Sequence, residues 1–361
     1  MMSIINININ RIMGYAAALV CLTACTDVEL FEEDNYKELH RTVMTVDYDG
    51  ATWSPAPDSM YVFASRITLP TRTCYRVNPS SLNGDVIHGD IAEQDEIESP
   101  AKGFYLRHSQ YHFMSFSIAN GVESNYKDYI QNPNKDEDIR KLYVGYPSSE
   151  IKSPFPTTYY AVEKFYEVDE DNHHLTFSPR KVGQDITINL SMVKASPDFT
   201  VKSIEGSLSG IPSKLYLTTR YVDAKNCYSM NFDSGKFSAG LAQQESVDTC
   251  RFTLKFNAIA LHVTEEQYHN YDVSPNAPGV LRLNVTTVDN VGNERVMKAV
   301  IGLYCSITEA NSLKLADNDA DYKLTDNQTP VVNVVTPLVL DSDEIIVENK
   351  PNVDIWQRDE N

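Results

Sequence analysis

What most constrains this chain is alternation. Short runs carry an apolar residue at every second position, turn-forming residues cut them apart, and helical periodicity is almost missing. The cleanest run is Ile186-Thr-Ile-Asn-Leu-Ser-Met192, where Ile186, Ile188, Leu190 and Met192 fall on one face of a strand. In Tyr111-His-Phe-Met-Ser-Phe-Ser-Ile118, Tyr111, Phe113, Ser115 and Ser117 take one face, and His112, Met114, Phe116 and Ile118 the other. Residues 102–108 lie just ahead and predict a hairpin with it. Further strands are predicted at 41–48, 60–67, 159–168, 174–177, 214–222, 227–232, 250–263, 280–287, 295–301 and 331–340. Asp49-Gly50, Asn83-Gly84, Asp289-Asn290 and Gly292-Asn293 serve as turn signals between runs. A short helix fits only between residues 125 and 142, where Pro133 interrupts it. Many short strands with turns between them predict an all-β protein built from β-sandwiches. With 361 residues the chain is long for one core, so two sandwiches in tandem are expected, at 41–195 and 196–348. Ala195-Ser-Pro-Asp198 marks the break, and 349–361 reads as a polar tail.

The first 40 residues have a different character. A single charge, Arg11, precedes the apolar run from Tyr15 to Ala24, which at ten residues is too short to span a bilayer and right for a signal-peptide core. Leu22-Thr-Ala-Cys25 resembles the lipobox of bacterial lipoproteins. The resemblance implies that residues 1–24 are a signal peptide, that the Cys25 sulfur receives a diacylglycerol, and that Cys25 becomes the N-terminus. Lipid on Cys25 would then be the route to the membrane, with several acyl chains giving stable attachment. Residues 25–40 read as an acidic tether, with six acids between positions 26 and 38.

Charge and motif narrow the function. Acids outnumber bases 50 to 31, a net charge of −19. Phosphate backbones would meet repulsion, so nucleic acid is not an expected partner. Beyond the lipidated Cys25, Cys74, Cys227, Cys250 and Cys305 permit three full pairings, and Cys227–Cys250 would be the pair if neighbouring strands carried them. Buried free thiols are the reading adopted. The histidines show no ligand spacing: His108 and His112 flank a turn-like Ser-Gln, His173 and His174 are adjacent and so point to opposite strand faces, and His262 and His269 have no evident partner. Asp317-Asn-Asp-Ala-Asp321 resembles half of a calcium loop, but Tyr322 and Gln328 stand where such a loop needs glycine and glutamate. No nucleophile elbow, zinc motif, P-loop or dinucleotide fingerprint occurs, so neither an enzyme nor a cofactor is expected.

Taken with the lipobox, Gly103-Phe-Tyr…Tyr111-His-Phe…Phe116 and Val201-Lys-Ser-Ile-Glu-Gly-Ser-Leu-Ser-Gly-Ile-Pro212 resemble the two-domain fimbrillin-type lipoproteins of the Bacteroidota. That resemblance implies transthyretin-like sandwiches, an outer-membrane and surface location, and fimbrial or other envelope proteins as partners. It implies assembly as a fimbrium subunit or anchor by β-strand complementation. It also makes Arg41 and Arg66 candidate cleavage points for an arginine-specific protease. The candidate exchanged strand is Val331, Val332, Val334, Val335, Leu338 and Leu340, although a closing strand of its own sandwich would read the same way. Asp58-Ser59-Met60 matches the short O-glycosylation pattern of exported proteins of that group, with Ser59 as acceptor. Tyrosines number 21 against 13 phenylalanines and 2 tryptophans, and such side chains line protein and sugar contacts. A glycan-binding surface lipoprotein of a polysaccharide-uptake system is therefore the alternative, and an exposed platform of two or three aromatics would favour it.

Overall fold

The computed structural model describes residues 40–49, 53–69, 71–89, 103–132, 139–194, 198–233, 241–246, 248–263 and 279–303, together with short strands at 313–314, 321–323, 331–333, 338–340 and 344–347. Nearly all regular structure among them is β, as the alternation predicts.

The first core lies between two sheets. Arg41–Tyr48 pairs antiparallel with Phe104–Arg107 and parallel with His174–Phe177. A six-stranded sheet runs in the order Arg180–Lys181, Tyr159–Val168, Ser109–Phe116, Met60–Arg66, Arg72–Val77, Gly84–His88. Alternate side chains from both sheets meet in one cluster, including Met44, Val46, Phe104 and Leu106 from the first and Met60, Val62, Tyr111 and Phe113 from the second. Each such side chain taken fully from water contributes about 1.5–3 kcal/mol.

The six-stranded sheet is covered on its other face too. Phe63, Cys74, Met114, Phe116 and Tyr160 point away from the first cluster into a second, larger one. The helix Tyr126–Gln131 and the 3-10 turn Ile139–Lys141 supply Tyr129 and Ile139 to that cluster. Buried Arg72 holds its guanidinium 4.9 Å from the Tyr129 ring, a cation–π contact that accommodates a charge in the interior.

Gln184–Lys194 pairs along its length with Thr249–Ala258, and Ile186, Ile188, Leu190 and Met192 are all buried in the second cluster. A further six-stranded sheet runs Glu344–Val347, Glu294–Gly302, Val280–Val288, Thr200–Pro212, Cys227–Asp233, Glu150–Ile151. It contributes Ile204, Leu208, Leu281, Leu283, Ile301 and others to the same cluster. In that sheet Gly206 lets the Phe232 ring lie over the backbone: a Cβ there would meet the ring at 2.5 Å and the Arg282 carbonyl oxygen at 2.3 Å. A five-stranded sheet, Asp321–Lys323, Tyr221–Asp223, Lys214–Tyr216, Tyr143–Gly145, Glu123–Ser124, draws on both halves of the chain.

Several strand expectations change, among them 250–263, which divides into Thr249–Ala258 and His262–Val263. Phe104–Arg107 and Ser109–Phe116 are not a hairpin: with only His108 between them the chain steps from one sheet to the other, and each strand finds distant partners. Residues 214–222 are two short strands, not one, because residues 217–220 form a tight turn closed by the Arg220 N–H to the Tyr216 carbonyl, 2.7 Å. Gln184–Lys194, read in sequence as completing the first set of strands, belongs by its pairing to a sheet with residues 249–258. By contrast, Val280–Val288 and Glu294–Gly302 form the expected hairpin, with the Asp289 carboxylate accepting the N–H groups of Val291 and Asn293.

Candidate functional site

The described residues among those singled out for strand exchange sit at sheet edges. Val331–Asn333 pairs parallel with Thr187, Ile188 and Asn189, and Leu338–Leu340 pairs parallel with Met192, Val193 and Lys194. Val331, Val332, Leu338 and Leu340 are thus strand residues; Val334 and Val335 lie outside the described residues. Glu344–Val347 then pairs parallel with Lys298–Ile301 in the other sheet, a strand that sequence reading left out. The C-terminal segment therefore supplies outer strands to both sheets of the second core. Without these strands Gln184–Lys194 and Glu294–Gly302 would each be left with one open edge.

A cleft of about 520 Å³ opens where the first core meets the turn at 217–220. One wall is Tyr160 to Lys164, the second Thr176 to Arg180, and the third the turn from Leu217 to Arg220. The Leu217 N–H donates to the Leu142 carbonyl at 3.0 Å and the Thr218 hydroxyl to the Ile139 carbonyl at 3.1 Å, which fixes the turn against the 3-10 segment. Register slips between Glu163 and Tyr166, a bulge in the first wall.

Other predicted residues are scattered. Ser59 is half-buried, immediately before the strand Met60–Arg66. Arg41 is exposed at the start of its strand, whereas Arg66 ends a strand paired on both sides. Cys74 and Cys250 are buried free thiols and Cys227 a half-buried one, as adopted from sequence; Cys25 and Cys305 lie outside the described residues. Burial pushes the Cys74 thiol up to about 12, and burial with nearby Asp223 does the same for Cys227, so both are held protonated. Among the described residues, no three histidine, cysteine or carboxylate side chains are grouped as metal ligands. His174 bonds the Thr45 hydroxyl at 2.8 Å, and the His173 ring contacts the Glu170 carbonyl at 2.9 Å. His269 and most of the 317–321 run are outside the described residues.

Three of the tyrosines form one row. Tyr143 pairs with Tyr216 in the five-stranded sheet, and the Leu215–Val222 register brings Tyr221 alongside Tyr216. The Tyr143 and Tyr216 rings meet edge to face at 73°, and the Lys214 ammonium lies 4.0 Å over the Tyr143 ring. The row is aromatic without being a flat stacking platform.

No protein-family model and no curated protein matches the chain. In structure it is similar to a candidate adhesin from Bacteroides ovatus, at 8% identity and a TM-score of 0.42, covering 81% of this chain and 92% of that one. It is also similar to the fimbrial anchor protein Mfa2 from Porphyromonas gingivalis, at 9% identity and a TM-score of 0.34, over 69% of this chain and 78% of that one. The tip fimbrial protein Mfa3 from the same organism, with C-terminal truncation, is similar at 7% identity and a TM-score of 0.33, over 67% and 76%. Structural neighbours of this chain thus include adhesin-type and fimbrial proteins of Bacteroides and Porphyromonas.

Proposed function

We propose that this chain is a cell-surface lipoprotein that acts in protein–protein assembly, as a fimbrium subunit or anchor. Lipid on Cys25 would hold it to the outer membrane, and β-strand complementation would join it to neighbours. One observation supports the strand mechanism above others: a single C-terminal segment provides parallel outer strands to two sheets, at Val331–Asn333, Leu338–Leu340 and Glu344–Val347. Such a segment is added to edges that are already built, so exchanging it leaves the strands beneath in place.

The test is a chain ending at Gln328, offered a synthetic peptide spanning 329–349. The full chain is expected to form ladders of higher mass in envelope preparations, and the truncated chain to lose them and to capture the peptide. A truncated chain that ignores the peptide while the full chain still forms ladders would sink the strand mechanism. Intact mass of the envelope protein beside Cys25→Ala tests the anchor separately, and an unlipidated Cys25 would overturn it.

A further inference from the structure

The cleft between the first core and the 217–220 turn stands apart from the edges that the C-terminal strands cover, and its charge runs against that of the protein. On a chain with net charge −19, the charged side chains lining it are Lys164, Arg180 and Arg220 against Glu163 alone. Lys164 and Arg180 are both exposed. The hydroxyls of Thr176, Ser178 and Thr219 lie among them, over a floor of buried Ala161, Phe177 and Leu217. Its volume falls within the range of about 300–1,000 Å³ usual for small-ligand sites.

Local backbone conformation points to the same place. Only three non-glycine residues among those described have positive φ: Leu82, Phe165 at 59° and Arg220 at 64°. Phe165 directly follows Lys164 in the bulge of one wall, and Arg220 belongs to the opposite wall. Left-handed conformations at such residues carry a cost and persist where surrounding structure enforces them, commonly at ligand sites. Here the enforcing contacts are the turn's hydrogen bonds to Leu142, Ile139 and Tyr216. The backbone at Arg220 is therefore fixed before any ligand arrives, which lowers the ordering cost of binding.

We propose that this cleft binds an acidic saccharide, with the carboxylate of a uronic-acid residue among Lys164, Arg180 and Arg220 and ring hydroxyls on Thr176, Ser178 and Thr219. Three separate segments converge on a compact pocket, which suits a polyhydroxylated ring better than an extended peptide. Guanidinium and ammonium donors to a carboxylate give hydrogen bonds roughly twice as strong as neutral ones, so charge dominates recognition. The site is independent of strand exchange.

The test is calorimetric titration of the full chain with a trigalacturonate, its methyl ester, and a glutamate tripeptide. Trigalacturonate should bind, and the ester should bind at least about tenfold more weakly, as expected for loss of one charge-assisted contact. Lys164→Gln with Arg180→Gln should weaken trigalacturonate by at least about tenfold on the same basis, while Lys202→Gln, a surface lysine paired with Glu294, leaves it unchanged. Both changed residues are exposed, and circular dichroism checks that the variant is folded. Equal binding of acid and ester, equal binding by the double variant, preference for the glutamate peptide, or absence of saccharide binding would each overturn the proposal.

Discussion

His262 offers a sharp test of how the second core is built. It is 5% exposed, on the short strand His262–Val263 that follows the buried run from Ala258 to Leu261, and its Nδ1 has no hydrogen-bond partner among the described residues. Burial disfavours the imidazolium and lowers its pKa to about 4, against about 6.5 in an unfolded chain. The ring is neutral in both states at pH 7.5, so nothing is lost there. As pH falls through 6.5 the unfolded chain takes up a proton that the native chain refuses, and stability declines until the native ring also titrates near pH 4. The full gap corresponds to about 3 kcal/mol. At pH 5 the unfolded imidazole is nearly all protonated and the native one about one-tenth so, giving a loss of about 2 kcal/mol. His262→Leu removes that titration and leaves an apolar side chain in an apolar site. Urea unfolding followed by circular dichroism at pH 7.5 and 5 should show wild type losing about 2 kcal/mol more than the variant across that interval. Parallel pH dependence in the two chains would refute the assignment of a neutral, unpartnered imidazole.

Three further outcomes follow from packing. Phe116→Ala removes a fully buried ring that contacts Phe63 edge to face at 5.0 Å and Tyr61 at 5.6 Å; thermal and urea unfolding should register a loss of about 3–5 kcal/mol. Gly206→Ala forces a methyl group against the Phe232 ring and the Arg282 carbonyl, and should cost about 1–3 kcal/mol in the same assay. Cys74, Cys227 and Cys250 should resist iodoacetamide at pH 8 in the native chain and react after denaturation without reductant, by mass spectrometry. Rapid native labelling, or a Cys227–Cys250 bridge, would contradict the thiol environments.

Strand positions were legible because alternation is a local property. Ile186 to Met192 and the 280–302 hairpin can be read from side-chain period and turn residues alone. Partner choice is not local. Residues 104–107 and 109–116 suggested a hairpin because neighbours in sequence usually pair, yet one-residue spacing leaves no turn, and the chain crosses between sheets at His108. The parallel ladders of His174–Phe177, Val331–Asn333, Leu338–Leu340 and Glu344–Val347 join segments far apart, with no turn to announce them. The cleft was invisible for the same reason: Lys164, Arg180 and Arg220 look like ordinary surface cations until the fold gathers them.

One signal in the sequence nevertheless says more than its strand assignment. In residues 109–116 apolar side chains occupy both faces, with Tyr111 and Phe113 on one and Met114 and Phe116 on the other, and a strand with one solvated face would not be written that way. The structure explains the pattern, since Tyr111 and Phe113 lie in the first cluster and Met114 and Phe116 in the second. Phe63 and Cys74 do the same from neighbouring strands against Val62 and Tyr75. The sheet is thus a shared wall between two cores. Of its two-sided strands, Tyr159–Val168 also forms one side of the cleft. Tyr160 packs in the second cluster and Ala161 in the first, so the packing that makes the cores interdependent also anchors this side of the cleft.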